Sequence, residues 1–281
     1  MIDYENMSLT EVLRLAKQGD KDALFEMRFR RENEDEAHPV VWDLYWLSRA
    51  ATKGHRGALY LYADLLMDMP FPVKDCDKAL KLYEEFEQES RKVGKDYAVA
   101  YAKIESGIIL CEGLRLENRR NPKRGVELID EGLGMMKKIN EKPNASQLYR
   151  LGEMYALGYA QENEVQSATD IEKAIEFLEE FKRGNFNPNG AGLNRVQSEY
   201  VDKYLNHWKS WLTDKIKLEQ DEKAFTEDTI KLGCQEAKHI YDEGVRDIRD
   251  IRTKKRREEA EQSTEKGWQI ENALRQLQER F

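Results

Sequence analysis

One phrase recurs along the chain at a nearly constant spacing. Residues 45–63 read YWLSRAATKGHRGALYLYA, and residues 145–158 read ASQLYRLGEMYALG. A small residue stands within each copy of the phrase, at Ala63, Gly107 and Gly152, in steps of 44 and 45 residues. A period of this size is typical of helical repeat arrays rather than of a domain with a single core. We therefore expect an all-α protein whose function depends on the surfaces of its helices.

Apolar residues between the turn signals recur at the spacing of one helix face. In residues 78–92, for example, Ala79, Leu82, Tyr83 and Phe86 stand at positions i, i+3, i+4 and i+7. Helix-start signals are also present, with a capping box at Ser8 and Glu11 and a proline after Asn121. These patterns predict helices at residues 8–18, 23–30, 40–52, 57–67, 78–92, 97–112, 122–139, 145–157 and 171–181.

Composition excludes some classes of function. Of the 281 residues, 36% are charged and 40% are hydrophobic, which suits an elongated helical protein with much solvated surface. The formal net charge of −8 argues against general nucleic-acid binding, which needs a basic footprint.

Neither a signal peptide nor a membrane span is expected. The first residues, MIDYENMSLTEVL, lack a basic start and an apolar stretch, and the longest apolar run, near residues 108–111, is far too short for a bilayer. Three widely spaced cysteines, Cys76, Cys111 and Cys234, do not form a disulfide framework. We therefore expect a reducing, cytoplasmic location.

A stretch rich in Gly, Asn and Pro at residues 183–192, RGNFNPNGAG, predicts a linker. It divides the chain into a repeat region at residues 1–182 and a C-terminal helical region at residues 183–281. The C-terminal region carries an aromatic stripe at helical spacing, Tyr200, Tyr204, Trp208 and Trp211, and a last apolar set, Ile270, Ala273, Leu274, Leu277 and Phe281. The aromatic stripe could bind a partner protein, since Trp and Tyr are common at interfaces. Packing of the stripe against the apolar end of the repeat region is the favoured interpretation.

The repeated phrase resembles the Sel-one-like repeat, a relative of the tetratricopeptide repeat. The family pattern is A-x-x-x-L-G-x-x-Y-x-x-G, a loop, and then D-x-x-K-A-x-x-W/Y-x-x-K-A-A-x-x-G. Matching positions occur in several units: Leu151, Gly152, Tyr155 and Gly158; Asp170, Lys173 and Ala174; Asp75, Lys78, Ala79 and Tyr83; Trp46, Arg49, Ala50, Ala51 and Gly54. The unit that begins at Tyr97 departs from the pattern, with Ser106 in place of Leu and Gly125-Val126 in place of Lys-Ala.

The resemblance covers about the first two thirds of the chain and implies a fold and a role. The fold would be a right-handed superhelical solenoid of antiparallel helix pairs, with additional long C-terminal helices. The role would be that of a scaffold or adaptor that holds other proteins. Some family members are secreted with a disulfide in each repeat, but this chain lacks that cysteine pairing.

Sequence motifs for catalysis, cofactors and metals are missing. There is no G-x-S-x-G, no P-loop, no G-x-G-x-x-G, no C-x-x-C and no H-E-x-x-H. His38, His55, His207 and His239 are scattered, and Cys234 with His239 is more readily explained as a core thiol and a surface imidazole than as a zinc site. We therefore expect no enzyme activity, no cofactor and no metal.

A basic cluster, Lys254-Lys255-Arg256-Arg257, offers an alternative. It could contact phosphate or an anionic surface, but Glu258, Glu259 and Glu261 follow and can pair with it along a helix. Pairing of these acidic and basic side chains along one helix is favoured over a contact of the basic cluster with nucleic acid.

The leading hypothesis is a non-enzymatic scaffold that binds a partner protein or peptide. The resemblance implies that the first helix of each pair lines a concave groove, and seven residues of those helices are candidate contacts: Tyr60, Asp64, Tyr101, Glu105, Tyr149, Arg150 and Glu153. Two alternatives stay open. One is self-assembly into a homo-oligomer, or binding of an anionic surface or nucleic acid, through the C-terminal region. The other is a hydrolase built on a repeat scaffold.

Overall fold

The described part of the chain folds mainly into α-helices. The computed structural model describes residues 3–4, 6–30, 39–69, 74–113, 120–162, 167–185, 201–202, 205–214, 267–276 and 278–279, and none of these residues lies in a β-strand. The all-α prediction is therefore confirmed for this part of the chain.

Among the described residues, nine α-helices lie between Leu9 and Asn185. They are α1 Leu9–Lys17, α2 Lys21–Glu26, α3 Pro39–Thr52, α4 Arg56–Asp68, α5 Cys76–Lys92, α6 Asp96–Glu112, α7 Pro122–Lys138, α8 Ala145–Ala156 and α9 Ala168–Asn185. A 3-10 turn at Met27–Phe29 follows α2. Helical residues also occur at 201–202, 205–214, 267–276 and 278–279.

Side-chain caps explain where several helices begin. Ser8 and Glu11 form the predicted capping box at the start of α1, and Asn144 forms a second box with Gln147 at the start of α8. The carboxylate of Asp75 accepts a hydrogen bond from the backbone N–H of Lys78 and so starts α5. These contacts satisfy N–H groups that the first helical turn leaves without partners.

The second and the ninth helix differ most from the sequence expectation. The helix expected at residues 23–30 begins earlier, at Lys21, because Asp20 caps it, and it ends at Glu26. Helix α9 continues through Arg183 and Gly184 to Asn185, so the linker expected at residues 183–192 starts no earlier than residue 186. The remainder of that linker lies outside the described residues.

Consecutive helices pack against one another along the chain. Contacts join α2 to α3, α3 to α4, α4 to α5, α5 to α6, α6 to α7 and α8 to α9, and α6 also contacts α8. Helix α6 contributes to two hydrophobic cores: Ala102 and Ile109 belong to the first, while Ile104 and Ile108 belong to the second. Helix α6 is buried on several sides, and its buried residues include the polar Lys103, Glu105 and Ser106 besides apolar ones.

Glycines allow α6 and α7 to approach closely. A Cβ atom on Gly107 would stand 2.5 Å from the carbonyl oxygen of Gly125, and one on Gly125 would stand 2.5 Å from the Sγ atom of Cys111. The small residue that marks the repeat at position 107 is thus a packing position. Gly107 packs directly against Gly125, a glycine at a position where the repeat pattern quoted above has lysine.

Described C-terminal residues return to the repeat region. Trp208 is buried in the second core, and Trp211 packs against that core. Ile270, Ala273 and Leu274, from the last apolar set, pack against the first core, which is built mainly from α1–α6. Tyr200, Tyr204, Leu277 and Phe281 lie outside the described residues. The expected division at residues 182 and 183 stays a prediction.

None of the helices that the structure describes is both long enough and apolar enough to cross a lipid bilayer.

Candidate functional site: an aromatic groove beside a buried polar cluster

A groove of about 930 Å³ lies among the described helices. Aromatic side chains from α2, α4, α5 and α6 line much of it, and we call it the aromatic groove: Phe25, Tyr60, Phe86, Tyr97 and Tyr101. Tyr97 is 39% exposed and Ile139, at the far side, is 36% exposed, so apolar surface faces solvent here. Exposed apolar surface in a concave site is typical of a binding surface.

Ring contacts fix the walls of the groove. The ring centroids of Tyr60 and Phe86 are 5.2 Å apart, and those of Tyr60 and Tyr101 are 6.1 Å apart in an edge-on arrangement. Phe25 stacks on the imidazole of His55 with a centroid distance of 4.1 Å. Such contacts restrict the rotation of the rings and give the groove a defined shape without a ligand.

The groove runs past the beginnings of four helices. Its lining includes Lys21 from the first turn of α2, Arg56 from the first turn of α4, Asp96 from the first turn of α6, and Asn144 at the cap of α8. The N-terminal ends of helices carry partial positive charge from their free backbone N–H groups. The N-terminal ends of these helices therefore add partial positive charge to this edge of the groove.

Three cations of the lining have no ion-pair partner among the residues that the structure describes: Lys21, Arg56 and Lys95. The Nη1 atom of Arg56 is also shielded from solvent and lacks an acceptor in the described structure. Of the carboxylates of the lining, Asp22 lies 3.5 Å from the Nε2 atom of His55, whereas Asp96 is unpaired in the same described set.

Asp64 lies at the junction of the groove and a polar cluster beneath it. Its carboxylate accepts a hydrogen bond from the Tyr83 hydroxyl and another from the Tyr101 hydroxyl, the latter at 2.9 Å from either oxygen. Tyr83 comes from α5 and Tyr101 from α6, so one carboxylate on α4 joins three helices. Burial raises the pKa of Asp64, while the two hydroxyl groups oppose that shift.

Glu105 and Arg150 form a buried ion pair next to this carboxylate. The Nη1 atom of Arg150 on α8 donates to the Oε2 atom of Glu105 on α6, and its Nη2 atom lies 3.8 Å from Oε2 of Glu112. The Glu105 side chain is only 2% exposed. We name the set formed by Asp64, Tyr83, Tyr101, Glu105 and Arg150 the buried polar cluster.

Burial and charge shift the titration of this pair. Burial raises the pKa of Glu105 to about 7, against the attraction of Arg150, which lowers it. Burial alone would lower the pKa of Arg150, but Glu105 and Glu112 outweigh it and raise that pKa above its usual value. Arg150 therefore stays charged in the fold.

His55 serves the structure of the groove edge. Its Nδ1 atom accepts a hydrogen bond from the backbone N–H of Ala58 at 3.1 Å and so caps α4. Burial lowers the pKa of His55, with Asp22 opposing the shift, which favours the neutral form near neutral pH.

The seven candidate contact residues fall into three places. Tyr60, Asp64 and Tyr101 line the aromatic groove. Glu105 and Arg150 lie in the buried polar cluster and pair with each other.

Tyr149 and Glu153 lie elsewhere. Both border a small cavity of about 20 Å³ beside Leu178 and Val201, and the Tyr149 ring is 5.4 Å from the ring of Phe181. The structure therefore brings five of the seven residues together and places these two against α9 and residue 201.

Several lining residues of the groove were missed from sequence, notably Arg56, Lys95 and Tyr97. All three lie within three residues after a turn glycine: Arg56 is two residues after Gly54, and Lys95 and Tyr97 are one and three residues after Gly94. Both glycines have positive φ, at 72° and 64°. The position of these residues just after a turn glycine is the sequence signal that could have identified them as part of the groove.

No group of three or more His, Cys, Asp or Glu side chains suited to a metal ion occurs among the described residues. His38, Cys234, His239 and the basic cluster Lys254–Arg257 lie outside them. Cys76 and Cys111 are free and buried.

Comparison with known proteins identifies no relative: no family model, curated protein or solved structure matches this chain.

Proposed function

We propose that the chain is a non-enzymatic protein-interaction module that binds a peptide segment of a partner protein in the aromatic groove. The observation that carries the proposal is the groove itself, about 930 Å³ in volume, with five aromatic side chains along its walls. Aromatic side chains dominate the energetically important parts of protein interfaces because they bury much area with little loss of conformational freedom.

The chemistry of the lining supports binding rather than bond cleavage. Asp64 is a carboxylate of the lining, and both of its oxygens already accept hydrogen bonds from tyrosine hydroxyls. Such bonds hold it as a fixed anion, whereas a general acid or base needs a proton path to a substrate.

The repeat architecture is part of the same proposal. In a solenoid of antiparallel helix pairs of the Sel-one-like class, equivalent residues of neighbouring pairs meet at one repeat spacing. Arg150 bonds to Glu105, 45 residues earlier, and the Gln147 side chain donates to the backbone oxygen of Tyr101, 46 residues earlier, at 3.3 Å. Those contacts support stacked pairs, and we propose that the stack curves as a right-handed superhelix.

Site-specific photo-crosslinking in cells tests the binding proposal. A photoreactive amino acid at Tyr97 would report on the groove, and one at Val93, which is 57% exposed and outside the lining, would serve as the control. We expect a discrete protein adduct from position 97 but not from position 93. Adducts of equal yield from both positions, or none from position 97, would reject the groove as the binding site.

A further inference from the structure

We infer that the junction between α6 and α8 is a pH-sensitive joint, which loosens when the buried polar cluster loses a proton and so alters one end of the aromatic groove. The joint is a property of the fold and does not depend on what the groove binds. It follows from a small contact between the two helices, an excess of carboxylates at that contact, and hydrogen bonds that lead from it to the groove.

Helix α8 is held more firmly by α9 than by the helices that precede it. Within the described part of the chain, α8 and α9 pack along each other, whereas α8 meets the preceding helices mainly at α6, through a much smaller contact. Ile104 and Ile108 of α6 share the second core with Leu151 and Met154 of α8. Apolar packing therefore closes the junction, but its small extent permits α8 to open locally while the other helices stay folded.

Carboxylates outnumber the cation at this junction. Glu105 and Glu112 of α6 and the partly buried Asp64 of α4 all interact with the charge of Arg150 on α8. Burial makes a carboxylate that is not fully neutralised costly. The other polar groups that act on the cluster add no cation: Asp68 of α4, Cys76 and Tyr83 of α5, Tyr101 of α6 and Gln147 of α8.

Glu105 is the carboxylate of this junction that titrates near neutral pH. Tyrosine hydroxyls donate to both oxygens of Asp64 and stabilise that side chain as an anion. Glu105 is 2% exposed, and burial raises its pKa to about 7 against the attraction of Arg150. In an open joint water reaches Glu105, and its pKa returns toward the model-compound value of 4.5. The closed joint is therefore most stable below about pH 4.5 and weakens as the pH rises to about 7.

Helix α8 connects the joint to the groove. Asn144, the N-cap of α8, and Ile139, at the end of α7, both line the groove. The buried Gln147 side chain donates to the backbone oxygen of Tyr101 at 3.3 Å, and the Tyr101 hydroxyl donates to Asp64. Opening of the joint therefore displaces Asn144 and removes a hydrogen bond that holds Tyr101, so pH alters the shape of this end of the groove.

Hydrogen–deuterium exchange of the full chain, read by mass spectrometry, tests the joint without a ligand. Exchange is measured at about pH 6 and about pH 8, with times scaled for the intrinsic pH dependence of amide exchange. A helix that loses its tertiary contacts has little stability of its own, so α8 amides report on opening. From the two pKa values of Glu105, we expect protection of α8 to fall about tenfold between these conditions, with little change in α3.

Two variants identify the group that titrates. Glu105→Gln removes the titrating carboxylate but keeps an oxygen that can accept from Arg150, and protection of α8 should then be the same at both pH values. Glu131→Gln is the matched control, because Glu131 accepts a hydrogen bond from Lys103 that lowers its pKa and keeps it ionised throughout this range. This control should respond to pH as the native chain does.

A distance measurement at native Glu105 keeps the test decisive if Glu105→Gln does not fold. Spin labels at the exposed positions of Val93→Cys and Ser146→Cys, in a chain with Cys234→Ser, report on the position of α8 relative to the end of α5. Double electron–electron resonance should give a broader distance distribution at about pH 8 than at about pH 6.

Three results would overturn the inference. The first is a native chain whose α8 protection and label distances are the same at both pH values. The second is a pH response of Glu105→Gln as large as that of the native chain. The third is an equal loss of protection in α3 and α8, which would indicate a general loss of stability rather than a joint.

Discussion

Arg150 on α8 and Glu105 on α6 form a buried ion pair across 45 residues of sequence. This separation equals the step from Gly107 to Gly152, the small residues that recur along the sequence, and the pair joins α6 to α8. Glu105 is 2% exposed and the Arg150 side chain is 20% exposed, which means that neither charge has free access to water. The pair holds α6 and α8 together beneath the aromatic groove.

A double-mutant cycle should show strong coupling between these two residues. Arg150→Met leaves Glu105 buried without its counter-charge, and we expect a loss of about 3–5 kcal/mol in the free energy of unfolding. Adding Glu105→Leu removes the orphaned carboxylate and should recover a large part of that loss. Urea denaturation of both single variants and the double variant measures the coupling. Additive losses would show that the pair does not act as a unit.

Stability should depend on pH through Glu105. Its pKa is raised by burial from the model-compound value of 4.5 to about 7, so between these values the folded state holds a proton that the unfolded state has released. The contribution of Glu105 to stability is therefore greatest below about pH 4.5, falls as the pH rises, and levels off above about pH 7.

The variant Glu105→Gln removes this titration. We compare the free energy of unfolding of the native chain with that of the variant at about pH 4.5 and about pH 7. The native chain should gain roughly 1–3 kcal/mol relative to the variant at the lower pH. Urea denaturation across the pH range provides the measurement. A difference that does not change with pH would mean that Glu105 has an ordinary pKa in the fold.

The contact between α6 and α7 should tolerate no side chain at Gly107. In Gly107→Ala the new methyl group would meet the Gly125 carbonyl oxygen at 2.5 Å and Ile129 at 2.7 Å, so we expect a loss of about 1–3 kcal/mol in stability. Gly134→Ala is the matched control on α7, because nothing lies within 4 Å of its Cβ position. There we expect a gain of about 0.5–1 kcal/mol from the higher helix propensity of alanine. Thermal melts of the two variants that shift in the same direction would contradict this packing.

The thiol of Cys111 should be unreactive in the native chain. It is fully buried, and burial raises its pKa to about 12, so almost no thiolate exists near neutral pH. Alkylation with iodoacetamide followed by peptide mass mapping should modify Cys111 only after unfolding in urea. Equal rates in the native and unfolded chain would show that this part of the α6–α7 contact is open in solution.

The helices were largely predictable from sequence because local signals fix them. Ser8 and Glu11 form the capping box that their spacing predicts, and α7 begins at Pro122 behind Asn121 as expected. The close contact at Gly107 could also be inferred, since a small residue recurs at that place in each repeat.

The candidate site was only partly predictable. The repeat resemblance, through its rule that the first helix of each pair lines the binding side, led to Tyr60, Asp64 and Tyr101 as candidates, and these residues line the groove. The sequence could not distinguish these three groove residues from Glu105. Glu105 lies one turn further along α6 than Tyr101 but is buried and paired with Arg150. Whether Glu105 is buried depends on a side chain of a helix that is distant in sequence, and no local sequence pattern indicates that contact.

Blocking the groove offers the most direct test of the central claim, that the aromatic groove binds a partner protein. Ala98→Trp places a large ring in the groove lining, and Val93→Trp adds the same ring at an exposed position outside it. Circular dichroism establishes that both variants are helical, and calorimetry then measures their affinity for the partner identified by crosslinking. The account predicts at least tenfold weaker binding for Ala98→Trp and native affinity for Val93→Trp. Native affinity in both variants would contradict it.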